Sequence, residues 1–152
     1  MRTVRTSHEI DASPEAVWET LVDFPSHARW NPFFASVEGD SVVGGTLRIK
    51  ARKPDGTAGM GFAPTVLEVE PGRMLRWKGK LFVSGLFDGE HVFELTKLPD
   101  GRTQLDHYEH FSGALIPVMG KVLTDTDTED GFRKFNVALA DEVALRAANC
   151  AS

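Results

Sequence analysis

Residues 90–111 read EHVFELTKLPDGRTQLDHYEHF. Two runs that alternate in polarity flank Pro99, Asp100 and Gly101. Alternation is a strand's period and Pro-Asp-Gly is turn chemistry, so the stretch predicts an antiparallel hairpin with arms Glu90–Leu98 and Arg102–Phe111. The turn also predicts the register. If paired residue numbers sum to about 200, His91 lies opposite Glu109, Phe93 opposite His107 and Leu95 opposite Leu105, all on one face. A face that otherwise carries Phe93, Leu95, Leu105 and Phe111 thus receives two imidazoles and a carboxylate. Burying an unpaired charge is costly, so these groups must bond to one another or to something held against the sheet.

Working outward, Val4, Thr6, His8 and Ile10 alternate with Arg5, Ser7 and Glu9, which predicts a half-buried first strand. Ser13, Pro14 and Glu15 are an N-cap, a first-turn proline and a first-turn acid, and Val17, Trp18, Leu21 and Val22 recur at helical spacing. A second helical turn over His27–Trp30 is stopped by Asn31-Pro32, because the residue before proline is pushed out of the α region. Strands are expected over Thr46–Arg52, over Ala58–Glu70 with a bulge near Ala63-Pro64, and over Arg73–Leu81. In the last of these Leu75, Trp77, Gly79 and Leu81 oppose a solvated face of Met74, Arg76, Lys78 and Lys80. The span from Ile116 to Ala148 reads as mostly helical, with Phe132, Phe135, Leu139 and Val143 as its buried stripe. Gly131 and the polar run Thr124–Asp130 predict a break or irregular turn in its first half.

The 152 residues suit one domain, and 41% hydrophobic residues suffice for one core or cavity. The 17 basic and 22 acidic residues give a net charge of -5, and no Lys/Arg run interleaves with aromatics, which argues against a nucleic-acid partner. The first residues have no apolar signal core and no stretch is long enough to span a bilayer, so a cytoplasmic location without a membrane span is expected. Cys150 is the one cysteine, so an internal disulfide is excluded. Self-association is left open.

Three patterns carry a family resemblance: Ile10–Trp18 followed by Trp30-Asn31-Pro32-Phe33; His91–Leu95 with His107–Gly113; and Gly131–Leu139. In this order they resemble the SRPBCC superfamily of START-like, helix-grip proteins, in particular its polyketide cyclase/dehydrase-like branch. The resemblance implies an α+β fold in which a curved seven-stranded antiparallel sheet wraps a long C-terminal helix, with two short helices after the first strand. It also implies a cavity between sheet and helix, used by different members to carry lipids, hormones or polyketides, or to cyclise and dehydrate them. Fold does not choose among these.

On this basis the expected partner is a small apolar ligand, with Trp30, Trp77, Phe93, Phe111, Phe132, Phe135 and Leu139 as walls and Asn136 as a polar contact from the helix. For each wall residue, simple core packing is the plainer alternative. His91, His107 and Glu109 would anchor a ligand's carbonyl or hydroxyl, or His91 and Glu109 would act as the acid-base pair of a dehydration or aldol-type cyclisation. The plain alternative is a His-Glu hydrogen bond bracing the sheet. Two histidines and a glutamate are acceptable zinc ligands, but strand spacing alone does not make them converge. The acidic run Asp125–Asp130 departs from a calcium loop, which needs glycine where Asp130 stands. No nucleophile elbow, Walker loop or Rossmann fingerprint is present, so no cofactor is called for. A third role, as a regulatory docking module, would use the apolar segment Phe82–Phe87.

Overall fold

The computed structural model describes residues 2–81, 85, 87–114 and 125–151. At its centre, β7 (Phe87–Lys97) and β8 (Thr103–Ser112) form the expected hairpin. Gly101 takes the left-handed φ of 88° that the turn requires, and its N–H donates to the Leu98 carbonyl at 2.9 Å. The register follows: His91 pairs with Glu109, Phe93 with His107 and Leu95 with Leu105. β1 (Arg2–Ile10) adds on the β8 side, placing Thr6 opposite His107. β6 (Met74–Leu81) adds on the β7 side, placing Trp77 opposite His91.

The sheet runs β1-β8-β7-β6-β5, and β2 (Phe34–Glu38), β3 (Arg48–Arg52) and β4 (Ala58–Phe62) form a second antiparallel ladder. The described residues therefore hold eight strands rather than the expected seven. The difference arises at Pro64. What reads as one bulged strand over Ala58–Glu70 is β4 followed by β5 (Thr65–Glu70), and the two strands join different ladders. Pro64 has no N–H to donate, but its carbonyl accepts from Leu47 at 2.9 Å. Bonds between Val66 and the Gly44-Gly45 backbone, with the Thr46–Thr65 bridge, tie the two ladders together. Register shifts within β2–β3, β3–β4 and β5–β6 add the local twist that curves such a sheet.

α1 (Pro14–Val22) is capped by Ser13, whose hydroxyl accepts from Ala16 N–H at 3.2 Å, and it buries Val17, Trp18 and Leu21. A 3-10 turn (Phe24–Ser26) leads into α2 (His27–Trp30). The C-terminal helix α3 (Asp125–Ala151) buries Phe132, Phe135, Leu139 and Val143 as their spacing predicts. Within the described residues Asp125–Ala151 the helix shows no break and runs through Gly131. That glycine serves a close contact: a Cβ there would stand 2.6 Å from a ring carbon of Phe33. Residues 116–124 of the expected helical span, and most of the Phe82–Phe87 segment, lie outside the described residues. Buried Glu142 clamps α3 to the short helices, accepting from Arg29 at 2.6 and 3.1 Å, while Arg146 bridges Glu142 to Asp23. The Arg29 hydrogen bond holds the Glu142 carboxyl below its usual range.

Candidate functional site

The hairpin register, β1 and α3 together bring the polar groups of the concave face into one continuous chain. Nε2 of His91 lies 2.5 Å from Nε2 of His107. Nδ1 of His107 lies 2.8 Å from the Asn136 side-chain oxygen, and the Asn136 amide donates to Thr6 Oγ1 at 2.9 Å. The Thr6 hydroxyl donates to the His107 backbone carbonyl, also at 2.9 Å, so the deep end closes on the sheet itself. At the other end Nδ1 of His91 stands 3.5 Å from Glu109 Oε2, an ion-pair distance rather than a tight hydrogen bond.

Burial grades along this chain. His107 is 1% exposed, whereas the Glu109 side chain retains 18%. Desolvation, and secondarily the neighbouring His91, push the His107 imidazole well below its ordinary value, so it is neutral at pH 7. The Glu109 carboxylate fits where it does because β7 carries Gly89 there. A Cβ on Gly89 would stand 2.5 Å from Glu109 Oε1.

Aromatic rings enclose the histidines. Phe132 stacks on His107 at 4.1 Å between centroids, and Phe93 contacts His91 at 4.8 Å and His107 at 4.6 Å. Trp77 lies 5.2 Å from His91, and Phe135 4.9 Å from His107. Of the residues expected to line a cavity, Trp77, Phe93, Phe132, Phe135 and Asn136 are thus gathered around His91 and His107, with Phe93, Phe132, Phe135 and Leu139 fully buried in the core. Trp30 sits apart from the two histidines, against His27 and Phe135, with its indole N–H on Ser26. Phe111 is half-buried and pairs with Gly89. A cleft of about 360 Å³ lined by Pro25, Ala28, Ser36, Val37, Glu38 and Gly39 shares no residue with this cluster. Among the described residues no three His, Cys, Asp or Glu side chains are placed to hold a metal ion, and both His107 nitrogens are already committed.

Two members of the site, Thr6 and Gly89, are not among the expected site residues. The alternation of β1 does point Thr6 inward, but its partner is visible only once β1 is laid on β8. A second buried network is also absent from the sequence reading. His27 Nε2 donates to the Leu21 carbonyl at 2.7 Å, and its Nδ1 accepts from the Asn31 amide, whose oxygen takes the N–H groups of Phe33 and Phe34. Burial pushes His27 down to about 4. Every polar atom in that network is satisfied within the protein, and it shapes the bend from α2 into β2. Its only sequence signal is a His and an Asn one helical turn apart just before Pro32.

A curved antiparallel sheet closed over a long C-terminal helix, with a buried polar chain on its concave face, defines a helix-grip, START-like domain. The chain belongs to the polyketide cyclase / dehydrase and lipid transport family, whose model matches residues 1–144. No curated protein matches it. Among solved structures it is similar to protein CV1439 from Chromobacterium violaceum, at 21% identity and TM-score 0.74 over 94% of this chain and 98% of that one. A START superfamily protein from Mycobacterium smegmatis shares 19% identity at TM-score 0.72, covering 94% and 97% of the two chains. An AHSA1-like protein from Aeromonas hydrophila shares 20% identity at TM-score 0.70, covering 96% and 94%. Likeness at these identities is a likeness of fold. No helix among the described residues is long and apolar enough to cross a membrane.

Proposed function

We propose that this protein binds a mainly apolar small molecule at the Glu109 end of the buried polar chain, with Glu109, oriented by His91, fixing the ligand's polar group. One observation carries the reading. The chain from Thr6 to His91 is satisfied within the protein, yet among the described residues it ends at a carboxylate that keeps part of its surface open on an aromatic face. A brace for the sheet has no need of an open end, whereas a ligand anchor does. The family description, which joins cyclase and dehydrase chemistry to lipid transport, agrees with an apolar cargo.

Native mass spectrometry of the protein purified without added ligand tests this. One bound apolar molecule per chain, released unchanged on denaturation, is the expected result. A bare chain that also fails to take up apolar probes saturably would contradict it.

The His91–Glu109 contact favours a second reading, a cyclase- or dehydratase-like enzyme in which this pair moves the proton. In that case the bound molecule is converted, and replacing Glu109 abolishes turnover while binding survives.

A further inference from the structure

The backbone carbonyl that ends the polar chain sets the direction of every hydrogen along it. A carbonyl only accepts, so the Thr6 hydroxyl spends its hydrogen on His107 O. Thr6 Oγ1 is then left to accept, which turns the Asn136 amide nitrogen toward it and the Asn136 oxygen toward His107. Nδ1 of His107 therefore carries a hydrogen. A single proton lies between the two Nε2 atoms.

At the open end, Nδ1 of His91 faces Glu109 Oε2. Without a hydrogen between them, two lone pairs would oppose each other beside a His91 ring only 5% exposed. Either the imidazole donates to the carboxylate or a protonated carboxyl donates to the imidazole. Both arrangements leave the remaining oxygen of Glu109 with lone pairs and no hydrogen to offer.

We infer that the ligand presents a hydrogen-bond donor to Glu109, a hydroxyl or phenol rather than a bare ketone, ether or carboxylate. This rests on the reading of the site as a ligand anchor and narrows it. A ketone or ether would set acceptor against acceptor, and a carboxylate would add like charge.

The test uses the full chain and two probes of nearly the same shape, 2-naphthol and 2-methoxynaphthalene, titrated by calorimetry. The first donates a hydrogen bond and the second only accepts. We expect 2-naphthol to bind about tenfold more tightly, the worth of one well-made hydrogen bond. Glu109→Gln should keep much of that preference, because its amide donates to His91 and its oxygen still accepts. Glu109→Met should bring the two probes within about twofold of each other, since no acceptor remains. Equal or tighter binding of 2-methoxynaphthalene by the unmodified protein overturns the inference and leaves the binding reading intact, as does a preference that survives in Glu109→Met. Saturable binding of neither probe overturns both. Should Glu109→Met not fold, the probe ratio of the unmodified protein decides.

Discussion

Thr6 carries the least chemistry of any side chain in the buried network, yet it is the link between the His107 backbone and the Asn136 amide. Thr6→Val keeps its shape and removes its hydroxyl, leaving the buried Asn136 amide hydrogen without its acceptor. Urea unfolding should show a loss of about 1–3 kcal/mol, and the double variant with Asn136→Leu should cost less than the sum of the two singles. Gly89 makes the opposite case, a residue important for what it lacks. Its φ lies outside the left-handed range, so Gly89→Ala is tolerated by the backbone and only the Glu109 carboxylate must move. The variant should melt close to the parent but bind 2-naphthol several-fold more weakly; equal binding would separate the notch from the site. At this scale the sequence was informative where a side chain's direction is set locally. His91, His107 and Glu109 follow from the hairpin turn, while Asn136 follows only from the family resemblance. Gly89 gave no signal, because a missing Cβ has meaning only beside the carboxylate that fills its place.

Among the elements, α3 shows how a local weakness can be a tertiary requirement. Glycine lowers helix propensity, and propensity alone argues for a break at Gly131. The helix continues because Phe33, far back in the sequence, lays its ring on the bare Cα. Gly131→Ala gains about 1 kcal/mol of helix propensity. Overpacking against Phe33, at about 1–3 kcal/mol, should outweigh that gain. The melting temperature should fall, and Phe33→Leu in the same background should recover part of the loss. A higher melting temperature for Gly131→Ala would show that the ring yields freely. The strand count has the same explanation. Pattern and turn agree over the β7–β8 hairpin, so it was legible, whereas the division into β4 and β5 depends on which ladder each half joins. Pro64 marks the place, but its role as an acceptor for Leu47 is set by long-range pairing.

The whole molecule carries two histidines buried in the neutral form, and both couple its stability to pH. His27 titrates at about 4 in the fold against an ordinary 6.5, chiefly through desolvation, and His107 is shifted the same way. Between those values the unfolded chain binds protons at these sites that the folded chain does not, so stability rises with pH across the window and is lost as pH falls from about 6.5 toward 4. For His27 alone the full effect is on the order of 3 kcal/mol. The urea midpoint should drop between pH 7 and pH 5, with a shallower slope in His27→Gln; an unchanged slope would mean that His27 is not buried neutral. The measurement that most directly tests the account is an imidazole ¹H–¹⁵N correlation spectrum at pH 7, followed through a titration with 2-naphthol. His107 should appear as the neutral Nδ1–H tautomer and His27 as the neutral Nε2–H tautomer. The His91 signals should move saturably with added naphthol while those of His27 stay in place. A naphthol titration that saturates without moving His91, or a His107 ring protonated on Nε2 alone, would contradict the claim that this buried chain ends in a ligand anchor.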